Sequence, residues 1–198
     1  MNSPTLPLRQ PTALPFPSPR LTANGFRDSF SADPEGVTPK GWTPDASGDT
    51  WQVESVGLQG TAASTLGVMA VNGLSAANVY AEAGCVSDAS GDFGLALRYS
   101  ASGPDYYFAD VSDGANVNLH KVLNGVNTAL GAASNVITAG VLFVVGLLAT
   151  GSTISVLING RQVISVTDTA VTTPGSVGVF SYIVGAGDSW RWFRAARV

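Results

Sequence analysis

The stretch that decides the fold is residues 153–167, TISVLI-NG-RQVISVT. Two runs rich in β-branched residues flank the dipeptide Asn159-Gly160. This arrangement is the strongest short-range signal for a β-hairpin, because the dipeptide suits a two-residue turn. The segment therefore predicts two antiparallel strands joined at Asn159-Gly160.

Further strand-like runs lie on both sides of this hairpin, and turn steps such as Asp113-Gly114 and Asn124-Gly125 separate them. In the clearest run, FGLALRY, alternate residues from Phe93 to Tyr99 are expected to face one way. No long segment has a sustained 3.6-residue apolar period. An all-β fold of ten or more antiparallel strands in two packed sheets is therefore predicted. The other runs are 51–58, 79–85, 106–111, 117–123, 141–149, 176–182 and 190–198.

Composition excludes several classes of partner. Apolar residues make up 45% of the 198 residues, charged residues only 12%, and the net charge is −4. The few basic residues are dispersed, so no stripe is available for a nucleic-acid backbone. The apolar run 141–149 is too short to span a bilayer and is expected to be a strand buried on both faces. The lone Cys85 is expected to be a buried, inert thiol.

Residues 1–25 are predicted to form an extended, proline-rich docking arm, separate from a sandwich domain at 26–198. Six prolines in the first twenty residues exclude a helix or a central strand. The start of the chain lacks the apolar core of a secretion signal, so synthesis in a cytoplasm is expected. Apolar anchors on the arm are expected to contact another protein subunit, either a second copy or a different chain: Leu6, Leu8, Leu14 and Phe16. The alternative is that the arm packs on its own sandwich domain.

From Phe26 onward the chain resembles the concanavalin A-like lectin and glucanase superfamily, in its laminin-G-like branch. The resemblance rests on motifs in a fixed order: Asp28-Ser-Phe30, Trp51-Gln-Val, GDFGLALR at 91–98, GSTISVLING at 151–160 and GSVGV at 175–179. The superfamily implies a jelly roll, a sandwich of two curved antiparallel sheets in which the first and last strands pair. It contains lectins, glycosidases, adhesion modules and virion proteins, so the fold does not decide the function.

No catalytic constellation is visible. The glucanases of the superfamily use an E-x-D-x-E strand to place two carboxylates across the scissile bond. This chain has no such triplet, and its three glutamates, Glu35, Glu54 and Glu82, are isolated. His120 is the sole histidine, so neither a catalytic triad nor a histidine-rich metal site is supported. A non-enzymatic protein is predicted.

Two tentative ligand sites can be named. Aromatic rings stack on sugars, and the candidates are Trp42, Tyr106, Tyr107 and Tyr182. The alternative is that most of these rings pack the core; of the consecutive pair Tyr106 and Tyr107, one is expected to be exposed at least in part. The oxygens of Asp110, Asp113 and Asn116 are close enough in sequence to suggest Ca²⁺, although Asp-Gly is also ordinary turn chemistry. No other cofactor is expected.

Together these features predict a structural or binding module that is displayed on a larger assembly through its arm. A bacteriophage capsid or tail, with the module as a decoration or adhesion protein that also contacts glycans, is the leading interpretation, and a virion is the expected location. A free carbohydrate-binding lectin is the alternative, and a glycoside hydrolase is the third.

Overall fold

A computed structural model describes residues 20–21, 25–61, 66–103, 105–182 and 188–198. Over these ranges the chain forms sixteen strands and no helix, and hence no helix that could cross a membrane. The four predicted arm anchors lie outside the described residues, and their docking role stays a prediction. The strands form two antiparallel sheets that pack as a sandwich.

The nine-stranded sheet has the order β1-β2-β16-β7-β12-β13-β14, with β5 beside β16 and β4 beside β5. Its strands are β1 (Arg20–Leu21), β2 (Gly25–Asp28), β4 (Thr50–Glu54), β5 (Gly57–Thr61), β7 (Val79–Val86), β12 (Phe143–Thr150), β13 (Thr153–Ile158), β14 (Arg161–Thr167) and β16 (Ser189–Arg197).

The seven-stranded sheet has the order β11-β10-β9-β8-β15-β6-β3. Its strands are β3 (Trp42–Pro44), β6 (Gly67–Ala76), β8 (Asp92–Tyr99), β9 (Tyr106–Ser112), β10 (Asn116–Leu123), β11 (Val126–Ala133) and β15 (Gly175–Tyr182).

The hairpin expected from the sequence is confirmed. Ile158 pairs with Arg161, and Asn159 and Gly160 have φ values of 50° and 78°. Both central residues are thus left-handed, as a type I′ turn requires. The pairing of β2 with β16 confirms that an early strand and the last strand are neighbours.

One predicted strand is wrong. The run 51–58 is not one strand but the hairpin β4–β5, which turns after Glu54 and pairs Glu54 with Gly57. Pairing between these two short strands overrides the local pattern.

The core lies between the sheets and is rich in aromatic rings. Trp190 packs against Trp51 and Phe93, with ring centroids 5.6 and 5.1 Å apart. Its Nε1 donates a hydrogen bond to the carbonyl of Gly94 at 3.0 Å, so its polar end is satisfied inside the core. Cys85 is fully buried here, and burial raises the pKa of its thiol; the prediction of a buried thiol is confirmed.

Arg98 interrupts the alternation of β8. Its φ is 57°, and the bulge turns its side chain inward, where only 1% of it is exposed. Its guanidinium donates to the carbonyls of Ala77, Gly151 and Val171 at 2.8, 2.6 and 2.6 Å. The bulge also reverses the direction of Tyr99, which joins a cluster on the outer face. The expectation that Tyr99 shares a face with Phe93 is therefore wrong.

Candidate functional site

The outer face of the seven-stranded sheet carries a second apolar cluster, separate from the core. Its centre is a column of rings: Phe180 stacks on Phe108 with centroids 4.0 Å apart, and Phe108 stacks on His120 at 4.7 Å. The column fits because Gly94 and Ala96 of β8, which pair with Phe180 and Phe108, leave room between the rings. The apolar members are Val68, Ala70, Ala96, Tyr99, Tyr106, Phe108, Val122 and Phe180.

A pocket of about 300 Å³ opens beside this column, and we call it the outer pocket. Such a volume is at the lower end of the range for small-molecule sites, which run from about 300 to 1,000 Å³. Five strands supply its walls. The lining residues are Leu66, Asp92, Phe108, Asp110, His120, Asn127, Phe180 and Tyr182.

Asp110 is the most buried carboxylate of the outer pocket, with 5% of its surface exposed. Its Oδ2 accepts a hydrogen bond from Asn118 Nδ2 at 3.1 Å. Its Oδ1 lies 3.3 Å from His120 Nε2, an ion-pair distance, yet the alignment is too poor for a hydrogen bond. Burial raises the pKa of Asp110, against the opposing effects of Asn118 and His120. The pocket thus contains a buried acceptor that is not fully satisfied.

Asp92 adds a second carboxylate to the same wall. Gly94 pairs with Asp110 across β8 and β9, so Asp92 lies diagonally from Asp110 on the same face. Burial, followed by the charges of Asp110, Asp113 and Asp188, raises the pKa of Asp92 to about 6. The described residues that line the pocket include no lysine or arginine. Its fixed charge is therefore negative.

His120 is held between two strands. Its Nδ1 lies 3.0 Å from Asn127 Oδ1 on β11, and its ring is 19% exposed. With Asn127 and the half-buried Asp92 and Tyr182, it forms the part of the pocket that a ligand can reach.

Trp42 does not belong to this site, which corrects the expectation that it stacks on a sugar. It is 5% exposed, and its ring packs between Phe26 and Phe193 with centroids 5.3 and 4.9 Å away. Its Nε1 donates to Asp28 Oδ2 at 2.7 Å. Burial raises the pKa of Asp28 to about 6 despite this hydrogen bond. Trp42 is a core residue.

Tyr106 and Tyr107 face opposite sides of β9 as expected, but both are buried, so the prediction that one ring is exposed is wrong. Tyr107 faces the core and donates from Oη to Asp168 Oδ1 at 2.7 Å. Burial, and then this hydrogen bond, raise its pKa to about 12. Tyr106 lies in the outer cluster beside Phe108. Of the four aromatic candidates, Tyr182 is the one that lines the outer pocket.

The suggested calcium ligands already have other roles. Asp110 lines the outer pocket, Asp113 is exposed in the turn between β9 and β10, and Asn116 Oδ1 accepts a hydrogen bond from the Asn135 amide at 3.3 Å. Among the residues that the structure describes, no group of three or more acidic, histidine or cysteine side chains can hold a metal ion. Calcium binding stays a prediction.

Sequence reasoning missed Asp92, Phe108, Asn127 and Phe180. One signal was available for three of them: Phe108 and Phe180 occupy outward positions in strands that were recognised, and Asp92 directly precedes a third. What the sequence did not supply was the order of the strands, which brings β8, β9, β10, β11 and β15 together.

A larger groove of about 730 Å³ lies elsewhere, between the loop after β2, the β4–β5 turn and Arg191. Three acids on its wall, Asp33, Glu35 and Glu54, are exposed or half-buried. Asp33 Oδ2 and Arg191 Nε in this groove lack a hydrogen-bond partner, but none of its described lining residues is a charged side chain as deeply buried as Asp110. The outer pocket, although smaller, is therefore the better candidate site.

Comparison with known proteins supports the fold. No protein-family model matches the chain, and no curated protein sequence is similar to it. Among solved structures, a carbohydrate-binding module of the CBM66 type from Bacillus subtilis has a TM-score of 0.64 at 19% identity, over 79% of this chain and 91% of that one.

Two further structures show the same likeness. A β-glucanase from Bacillus licheniformis has a TM-score of 0.60 at 11% identity, over 90% of this chain and 100% of that one. A Bacillus subtilis protein of unknown function with a galectin-like fold has a TM-score of 0.60 at 13% identity, over 80% and 90%. Enzymes and binding proteins thus share this architecture, and the similarity shows the fold alone.

Proposed function

This chain has the concanavalin A-like jelly-roll fold, and we propose that it is a non-catalytic, lectin-like module that binds a carbohydrate in the outer pocket. The observation that carries the proposal is the composition of that pocket, in which the half-buried ring of Tyr182 lines the same cavity as the half-buried carboxylate of Asp92 and the nearly fully buried carboxylate of Asp110. A carboxylate accepts strong, charge-assisted hydrogen bonds, and the hydroxyl groups of a sugar are suitable donors.

The rest of the pocket suits a sugar ring. Tyr182 is half-buried at the rim of the pocket and offers an aromatic surface. Phe108 and Phe180 stack on each other, so their facing sides are not available to a ligand. Asn127 and Asp92 present amide and carboxylate groups to hydroxyls. A small number of polar groups beside an aromatic surface is the usual composition of such a site.

The carboxylates of the pocket favour binding over hydrolysis. A retaining glycosidase needs a nucleophile and an acid on opposite sides of the scissile bond. Asp110 is instead held from behind by Asn118 and beside His120, and Asp92 lies on the same wall. The structural relatives include glycoside hydrolases, so activity must be measured and not assumed absent.

A glycan array followed by calorimetry tests the proposal. Wild-type protein is expected to bind at least one oligosaccharide, and Tyr182→Ala should weaken it about tenfold, since a stacked ring contributes roughly 1–1.5 kcal/mol. Trp42→Phe, which alters a core ring away from the pocket, is the matched control. Release of reducing sugar that stops in Asp92→Asn would instead establish a hydrolase, and silence across the array would exclude the proposal.

Display on a larger assembly, such as a phage particle, is a second proposal. It is supported by the proline-rich composition of residues 1–19, which lie outside the described residues. Deleting residues 1–19 and testing co-assembly with particle proteins decides it, because a docking arm is needed for incorporation but not for glycan binding. Unchanged incorporation would contradict it.

A further inference from the structure

Resting on the proposed function, we infer that the outer pocket selects glycans that carry a free amino group, such as oligomers of glucosamine, and rejects acidic glycans. The inference comes from the pairing of Asp92 with Asp110 on one wall, without a lysine or arginine among the described lining residues. An ammonium group would donate to the half-buried carboxylate of Asp92, and the charge of Asp110 on the same wall would add to the attraction.

The acidic side chains of the pocket outnumber its basic ones. The described residues that line it include two carboxylates, Asp92 and Asp110, one imidazole and no lysine or arginine. The apolar cluster beneath the pocket limits solvent screening, so these charges act strongly on a bound ligand. A uronic or sialic acid would bring a third carboxylate into the same space and be repelled.

The surrounding charges point the same way. Asp113 and Asp188 act on Asp92, and burial and these neighbours together raise its pKa to about 6. A ligand ammonium would relieve that repulsion, which a neutral hydroxyl does only in part. The discrimination should be visible near pH 7, where Asp92 is mostly ionised.

Calorimetry with three hexasaccharides tests the inference: the fully N-acetylated glucosamine oligomer, its deacetylated form and oligogalacturonate. The deacetylated oligomer is expected to bind about tenfold more tightly than the acetylated one, since charge-assisted hydrogen bonds are roughly twice as strong as neutral ones. Oligogalacturonate should not bind. In Asp92→Asn the ratio of the two affinities should fall to near unity.

Glu35→Gln is the matched control, because it removes one negative charge from an exposed position outside the outer pocket. If it reduces the preference as much as Asp92→Asn, the attraction is a property of the whole chain and the inference fails. Equal binding of both glucosamine oligomers also overturns the inference, yet leaves the proposed function standing. Loss of all binding on adding EDTA would show that the carboxylates serve a metal and would overturn it too.

Discussion

The buried carboxylates on the outer faces of the two sheets have different bonding partners. On the nine-stranded sheet, Glu82 is 7% exposed and pairs with Arg194 from the neighbouring strand, while Tyr80 donates a hydrogen bond to it. On the seven-stranded sheet, Asp110 is buried to a similar degree but has only an amide and an imperfectly aligned imidazole. The carboxylate on the first face is paired with a cation, whereas the carboxylate on the second face keeps one oxygen without a hydrogen bond.

Each sheet has a glycine that faces outward, and the two glycines have different kinds of neighbour. A Cβ on Gly94, beneath the outer pocket, would overlap the backbone carbonyl oxygen of Ala109, which the sheet holds in place. A Cβ on Gly84 would meet the indole of Trp192, a side chain that can move. Gly94→Ala should therefore lower the free energy of unfolding by about 3 kcal/mol, and Gly84→Ala by about 1 kcal/mol. Urea denaturation measures both, and a larger loss for Gly84→Ala would contradict the comparison.

Removing Arg194 from the nine-stranded sheet should have the next largest effect on the free energy of unfolding. Arg194→Ala leaves the buried carboxylate of Glu82 with Tyr80 alone, and we expect a loss of about 1–2 kcal/mol in the free energy of unfolding, less than for a fully buried pair because Arg194 is half-exposed. Arg161→Ala, at an exposed strand end, is the control with the same change in net charge. Equal losses in the two variants would show that the Glu82 pair contributes nothing specific.

On the seven-stranded sheet, Asp92 should make the free energy of unfolding depend on pH. Because the folded-state pKa of Asp92 is raised to about 6, its contribution favours folding at low pH and is lost as the pH rises through 6. The unfolding midpoint of Asp92→Asn, relative to wild type, should therefore rise as the pH increases from about 4.5 to 7.5. Asp28, whose pKa is also raised to about 6, is present in both proteins and cancels. Parallel curves would argue against a destabilised Asp92 carboxylate.

The smallest expected effect concerns Trp192. Its ring covers Gly84 and lies beside Arg194, whose guanidinium carbon is 5.9 Å from the ring centroid. A half-exposed tryptophan is a typical sugar-stacking residue. This one, however, lies on the nine-stranded sheet, away from the outer pocket. Trp192→Ala should leave oligosaccharide affinity within about twofold of wild type. A tenfold loss in calorimetry would move the binding site to the nine-stranded sheet.

Local chemistry was enough to predict the architecture. The turn at Asn159-Gly160, the alternation from Phe93 to Leu97 and the buried Cys85 all depend on short stretches of chain, and all are confirmed. The reversal of Tyr99 was not predictable, because it depends on Arg98 reaching three carbonyls that are distant in sequence. Periodicity assumes a regular strand, and a bulge breaks that assumption.

The site was harder to predict than the fold. Asp110 was recognised, but as one of three calcium ligands that lie close together in the sequence. The residues that share the pocket with it include Asp92, Asn127 and Tyr182. The order of strands in the sheet brings them to one place. Tyr182 lines the outer pocket, and its role in a sugar site stays a prediction. Trp42 looked like a sugar platform because burial cannot be read from the sequence of a three-residue strand.

The triple hydrogen bond of Arg98 has a consequence for how the molecule opens. The three carbonyls belong to segments 21, 53 and 73 residues away from it, so the guanidinium is fully bonded only after all three segments have arrived. Releasing any one of them leaves part of a desolvated cation without a hydrogen bond, so the three segments are linked into one cooperative unit. In hydrogen exchange, the amides around Ala77, Gly151 and Val171 should therefore lose protection together.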